Sequence, residues 1–161
     1  MNNEIIRPLT AGATDAFIDM KRDFFAIDGY PFDEDLTRKN TAYLLVHPQA
    51  GEIFMICDEA GAEIGFLILA FMFSFEFGGT IAFLDELYLG DKARGKGYGK
   101  YAVNFVKEYA ARNQLKAVFL EVEHHNERAR RLYEAGGFTD HHRGLMIYQK
   151  DPRRSAGNTA R

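Results

Sequence analysis

The chain has 161 residues, 47% of them hydrophobic and 27% charged, which is the composition of one ordinary globular domain. Its longest apolar run, Phe66–Phe73, has eight residues, far fewer than the roughly 20 of a membrane-spanning helix. The net charge is −11 over residues 1–91 and +8 over residues 92–161, and the acidic half argues against simple nucleic-acid binding because it would repel a polyanion.

The N-terminal segment and the cysteine content point to a cytoplasmic protein. Met1–Pro8 has neither the basic leader nor the apolar core of a signal peptide. The single cysteine, Cys57, rules out an internal disulfide and a cysteine-based zinc cluster. We therefore expect a single domain over residues 1–150, followed by a flexible tail over residues 151–161.

The first third of the chain predicts a short strand and two helices. Ile5 and Ile6 begin a strand that Pro8 limits. Apolar side chains recur at helical spacing between Ala16 and Phe25, with Lys21 among the polar residues between them, which predicts an amphipathic helix. Leu36–Val46 predicts a second helix that ends before a proline.

The rest of the chain alternates between strands and helices. Three β-branched or aromatic runs predict an antiparallel meander at Ile53–Cys57, Glu63–Ser74 and Thr80–Leu89. A helix follows from Tyr98, and further strands are predicted at Lys116–Glu123 and Gly144–Gln149. Between these two strands Asn126 is a good N-cap for a short helix. The sequence therefore predicts an α/β domain with a mixed sheet.

The most informative segment is a glycine-rich loop that follows a strand and opens a helix. Glycines at 95, 97 and 99 alternate with Lys96, Tyr98 and Lys100. Such a loop exposes backbone N–H groups at the positive end of a helix dipole, and Arg94 adds positive charge beside it. The loop therefore suits a diphosphate.

Two familiar nucleotide-binding motifs do not fit this loop. The Walker A pattern is matched from Gly90 to Lys96 but ends in Gly97, so the hydroxyl group that would hold Mg²⁺ is missing. The glycine spacing also departs from the dinucleotide-binding fingerprint. Arg94, Gly97 and Gly99 do match the pattern Arg-x-x-Gly-x-Gly, which resembles the acyl-CoA pyrophosphate loop of the GNAT acetyltransferases.

A second motif of the same family lies one helix and one strand further along. Asn126–Phe138 matches the pattern Asn-x-x-Ala-x-x-Leu-Tyr-x-x-x-Gly-Phe at every fixed position. The resemblance extends over residues 53–149. It implies an α/β (α+β) fold of the GNAT type: a mixed, mainly antiparallel sheet of six or seven strands, about four flanking helices, and a V-shaped splay between the fourth and fifth strands.

The resemblance implies acetyl transfer from acetyl-CoA to a primary amine, by direct attack in a ternary complex. The acidic half favours a small cationic acceptor, as in the polyamine-acetyltransferase branch. Backbone N–H groups of Leu87 and Leu89 would hold the pantetheine arm. The residues expected at the acetyl-CoA site are Leu87, Tyr88, Leu89, Arg94, Gly95, Lys96, Gly97, Tyr98, Gly99, Lys100 and Asn126.

Two catalytic roles follow from the resemblance. Tyr133 would be the general acid that protonates the leaving sulfur. Asp85, Glu86 and Glu121 are the candidates for the general base, and the first two rank above Glu121. Since Asp85 and Glu86 are consecutive in a strand, period-2 geometry is expected to place them on opposite faces, with at most one facing the substrate.

Two other functions fit the same motifs. The alternatives are acetylation of protein N-termini or lysines, and an acyl-CoA-binding regulator without turnover. The histidine pairs at 124–125 and 141–142 lack the partners of a metal site, so no metal is expected. Neither a nucleic-acid nor a membrane partner is expected, and exposed strands would allow a homodimer. Phe75 and Phe77, with Tyr30 and Phe32, are expected to line an amine pocket.

Overall fold

The computed structural model of the protein describes residues 5–150, which form five strands and four α-helices. The predicted tail at 151–161 lies outside the described residues. In chain order the elements are β1 Ile6–Pro8, α1 Thr14–Ile27, α2 Glu34–Val46, β2 Gly51–Cys57, β3 Glu63–Ser74, β4 Gly79–Leu89, α3 Tyr98–Arg112, β5 Val118–Leu120 and α4 Glu127–Ala135.

The strands form one mixed sheet with the order β1-β2-β3-β4-β5. The first four strands pair antiparallel, and β5 pairs parallel with β4. The parallel pair needs a crossover connection, which α3 supplies. The mixed, mainly antiparallel sheet with four helices confirms the predicted fold class.

The sheet is covered on both faces, so its strands alternate between two apolar cores. Leu67 and Leu69 of β3 face a cluster shared with α3, whereas Phe66 and Ile68 face a cluster shared with α1. This alternation is the period of two that a strand imposes on its side chains. Helices α3 and α4 therefore cover one face, and α1 and α2 cover the other.

Of the predicted strands, one is shorter than expected and one is wrong. The strand predicted at Lys116–Glu123 is shortened to Val118–Leu120, with two further backbone hydrogen bonds that join Lys116 and Ala117 to β4, and the strand predicted at Gly144–Gln149 does not form. Within residues 5–150 the sheet thus has five strands rather than six or seven. Strand propensity describes a fit to a paired, half-buried surface, and the side chains of Leu145–Tyr148 are instead exposed.

Cys57 is buried at the end of β2. Burial raises the pKa of its thiol, which keeps the sulfur protonated and unreactive. None of the helices described between residues 5 and 150 is long and apolar enough to cross a bilayer.

Candidate functional site

The glycine loop lies between β4 and α3 and takes a backbone shape that glycine favours. Gly95 and Gly97 have φ angles of 75° and 86°, and a Cβ atom added at either position would have no neighbour within 4 Å. Open space above a left-handed glycine lets a ligand approach the main chain closely. Helix α3 begins at Tyr98, directly after Gly97, so its first N–H groups border this space.

Basic side chains surround the loop, and one of them is held in place. The Nε atom of Arg94 donates to the carbonyl of Leu89 at 3.2 Å, and its guanidinium lies 2.9 Å from Asp91. Lys96 and Lys100 are exposed. Free main-chain N–H groups, a helix N-terminus and several cations together fit a diphosphate group.

Strands β4 and β5 separate beside this loop. Their pairing ends at Leu84 and Leu120, and β4 continues to Leu89 without a β5 partner on that edge among the described residues. Main-chain groups of Leu87 and Leu89 therefore lie along the opening. The ring of Tyr88 packs instead on Phe66 in the core.

A β-bulge lies at the start of the opening and changes where two carboxylates point. Leu69 pairs with Leu84 and Ile68 pairs with Glu86, which leaves Asp85 as the extra residue of β4. A bulge breaks the alternation of side chains along a strand. Asp85 and Glu86 consequently line the same cavity, of about 330 Å³. The prediction that they lie on opposite faces is wrong.

This carboxylate cavity, roofed by α1 and α2, also contains a lysine that the sequence interpretation placed on the wrong side of its helix. Lys21 is only 6% exposed, and its Nζ atom donates to Oε2 of Glu86 at 2.5 Å. Its position follows Phe17 by four residues and Ile18 by three, which is the spacing of one helix face. In the sequence, Lys21 occupies a position on the apolar face of the helix. That position was the signal from which its burial could have been predicted.

The aromatic residues expected around an amine are not among the side chains that line the carboxylate cavity. Phe75 is 95% exposed, and Phe77 packs on Phe119 beside β5. Tyr30 and Phe32 contact the ring of Phe25 but do not line the carboxylate cavity. Its aromatic lining comes from Phe17, Phe25 and Tyr43.

Tyr133 lies on α4, on the other side of the sheet from the carboxylates. It packs against the core cluster that α3 covers and lines a second cavity, of about 810 Å³, beside β5. Burial raises the pKa of its phenol, so the hydroxyl stays protonated at neutral pH and is able to donate.

Asn126 caps the helix that carries this tyrosine, as predicted. Its side-chain oxygen accepts from the backbone N–H of Ala129 at 3.1 Å. This bond satisfies one of the N–H groups at the start of α4. The amide nitrogen of Asn126 is the part of the side chain that remains for a ligand.

Among the remaining candidates, Glu121 lines neither cavity, whereas His141 and His142 line the cavity beside β5. Glu121 follows the last residue of β5 and is exposed. The ring of His141 rests on Phe119 with centroids 5.1 Å apart. In the part of the chain that the structure describes, no group of three histidine, cysteine or acidic side chains is arranged to hold a metal ion.

Comparison with known proteins assigns the family. The sequence profile described as the Acetyltransferase (GNAT) family matches residues 15–138, which is most of the chain. The chain therefore belongs to the GNAT family of acetyltransferases.

Individual relatives agree with this assignment. The chain is 38% identical over 88 residues to the uncharacterized N-acetyltransferase YhfO of Bacillus subtilis (strain 168), a match that covers 55% of this chain and 59% of YhfO. Integron cassette protein HFX_CASS3, from the mobile metagenome of Cole Harbour Salt Marsh, has a TM-score of 0.82 at 25% identity, with 92% of this chain and 91% of that one covered. The crystal structure of a probable acetyltransferase shares the fold, with a TM-score of 0.82 at 19% identity over 91% of this chain and 98% of that one.

Proposed function

We propose that the protein is an N-acetyltransferase that transfers an acetyl group from acetyl-CoA to the primary amine of a small cationic molecule in a ternary complex. The observation that carries this proposal is the bulge at Asp85. It brings two carboxylates into one cavity at the point where β4 leaves β5. The glycine loop follows the end of the same strand, so the two features lie at either end of the part of β4 that has no β5 partner.

The residues of the loop suit the phosphates of the donor. The left-handed Gly95 and Gly97 leave room beside the main chain, and the N-terminus of α3 offers its first N–H groups. Arg94, Lys96 and Lys100 would balance the phosphate charge, and main-chain groups of Leu87 and Leu89 would hold the arm. When bound there, acetyl-CoA supplies the thioester carbonyl that the amine attacks.

The chemistry requires proton movements that this chain has groups to perform. An ammonium has to lose a proton before it attacks, and a carboxylate of the cavity takes it. The transfer forms one C–N bond and breaks one C–S bond, and the Tyr133 phenol gives a proton to the departing thiolate. In sum, an ammonium and a thioester become an amide, a thiol and one released proton.

The size and charge of the carboxylate cavity favour a small acceptor. A volume of about 330 Å³ lies at the lower end of the range for ligand pockets. Acidic residues on its roof are partly neutralised, since Arg22 pairs with Asp19 and Arg38 pairs with Asp15. Attraction of a cation therefore depends on the carboxylates of β4 more than on the overall charge of the acidic half.

Release of free thiol from acetyl-CoA tests the proposal. The full chain is incubated with polyamines, aminoglycosides, amino acids and peptides, and calorimetry with CoA is run in parallel. We expect turnover of small cationic amines that Asp85→Asn suppresses and that Asp28→Asn, at an exposed site after α1, does not. Turnover of peptides alone would indicate a protein acetyltransferase instead. CoA binding without turnover of any amine would indicate a regulator.

A further inference from the structure

The ion pair between Lys21 and Glu86 divides the two carboxylates of the cavity into different roles. The nitrogen of Lys21 lies 2.5 Å from Oε2 of Glu86, and the lysine side chain is 8% exposed. The pair joins the middle of α1 to β4, across 65 residues of sequence. An ammonium at this distance favours the charged form of the carboxylate that it contacts.

Aromatic rings hold the lysine on Glu86. Its Nζ atom lies 4.6 Å from the ring centroid of Phe25, 5.4 Å from that of Phe24 and 5.8 Å from that of Phe66. The faces of such rings attract a cation and offset part of its lost hydration. These rings therefore enclose the ammonium group of Lys21 beside Glu86.

Asp85 differs from Glu86 in its surroundings. It is exposed at the bulge, and within residues 5–150 no side chain forms an ion pair or hydrogen bond with it. Two neighbouring carboxylates that share a cavity normally resist ionising together. Lys21 therefore engages one carboxylate of the pair, Glu86, and leaves the Asp85 side chain facing the cavity.

We propose that Lys21 is a positioning residue of the acceptor site: it holds Glu86 ionised and engaged, which leaves Asp85 as the carboxylate that binds the acceptor ammonium and takes its proton. This inference rests on the proposed function. The titratable side chains that face the cavity are Lys21 from α1, Tyr43 from α2, and Asp85 and Glu86 from β4, whereas β2 and β3 contribute Ile53 and Ile68.

The proton transfer balances without any further reactant. The acceptor ammonium gives one proton to the Asp85 carboxylate and becomes a neutral amine with a free electron pair. That pair forms the new C–N bond as the C–S bond breaks, and the thiolate takes the proton of the Tyr133 phenol. The nitrogen then loses a second proton to water, water returns one proton to Tyr133, and Asp85 later gives its own proton to water. Glu86 keeps its charge and its bond to Lys21 throughout.

The test compares the wild-type full chain with Lys21→Met, Glu86→Gln, the double variant that combines both changes, and Asp85→Asn. Lys39→Met, at an exposed site on α2, is the matched control. The double variant guards against a misfolded Lys21→Met protein, because removing both partners of a buried pair leaves no unpaired charge. Carboxyl ¹³C NMR follows the ionisation of Glu86, and kcat/KM is measured as a function of pH.

We expect Lys21→Met to move the titration of Glu86 to higher pH and to raise the protonated fraction at pH 7 by at least about tenfold. The acidic limb of the plot of kcat/KM against pH should move to higher pH by about one unit in Lys21→Met. In the double variant it should move back to its wild-type position. Lys21→Arg should keep the wild-type limb, and Lys39→Met should change neither measurement. Asp85→Asn should lower kcat/KM by about 10²- to 10⁴-fold. The fold-loss in Glu86→Gln should be smaller than that in Asp85→Asn by a factor of at least about ten.

Two results would overturn the inference: an unchanged titration of Glu86 in Lys21→Met, or a larger loss of activity in Glu86→Gln than in Asp85→Asn. A wild-type protein that releases no thiol with any amine would overturn the proposed function and the role of Asp85 with it. The NMR titration decides the role of Lys21 independently of turnover.

Discussion

A methyl group added at Gly136 would lie 2.3 Å from the Cγ1 atom of Val103, so the end of α4 rests directly on α3. Tyr133 lies three residues before Gly136 on the same helix. The contact therefore fixes the position of α4 on α3, and with it the position of Tyr133, the candidate general acid.

Gly136→Ala should lower the free energy of unfolding by about 1–3 kcal/mol, because a side chain forced into a packed contact strains its neighbours. Gly144→Ala is the control, since a Cβ atom there would meet nothing within 4 Å. Urea unfolding followed by circular dichroism measures both variants. Equal midpoints for the two variants would show that α4 shifts without strain.

Tyr133→Phe should lower kcat by roughly 10²-fold and leave the KM for acetyl-CoA almost unchanged, because it removes a proton donor and little else. Tyr148→Phe is the matched control, since Tyr148 is 94% exposed. Steady-state kinetics with the best acceptor from the panel decides the matter. An unchanged kcat in Tyr133→Phe would remove this phenol from the mechanism.

Gly97→Ala should weaken CoA binding as well as stability. At a φ of 86° a non-glycine residue costs roughly 1–2 kcal/mol, and the added methyl group points toward the space that the phosphates would occupy. Gly29→Ala is the control: its φ is 68° and its Cβ position is also open, but it lies in the turn after α1. Calorimetry should show weaker binding only in Gly97→Ala, and equal affinities would contradict a phosphate role for the loop.

Because of Tyr109, the free energy of unfolding should fall as the pH rises through the alkaline range. Burial, with the neighbouring Glu52 carboxylate, raises the pKa of Tyr109 from 10.0 to about 12. Because the native state holds this proton more tightly than the unfolded state, the stabilisation is complete below pH 10 and is lost as pH rises through about 12. The difference in urea midpoint between pH 9 and pH 11 should therefore be smaller in Tyr109→Phe than in the wild type.

Local patterns predicted the elements whose limits depend on a few adjacent residues. Strand β3 has the predicted bounds Glu63–Ser74, and α3 begins at the predicted Tyr98 because left-handed Gly97 precedes it. Asn126 caps α4 as predicted. Periodicity, glycine conformation and capping act within one or two turns of chain, so a sequence contains them completely.

Features that depend on pairing between distant segments could not be predicted in this way. The bulge at Asp85 arises from the register between β3 and β4, and an alternating pattern gives no sign of it. The segment 144–149 has strand propensity, but propensity does not supply a pairing partner.

The sequence by itself determined the order of strands and helices as far as α4, the glycine loop, and the two motifs that resemble the GNAT acetyltransferases. Only the tertiary structure decided that Asp85 and Glu86 share a cavity and that Lys21 is paired with Glu86. The physical reason is range: backbone preferences act between neighbours in the chain, whereas strand register and the burial of a charge are settled between residues that folding brings together.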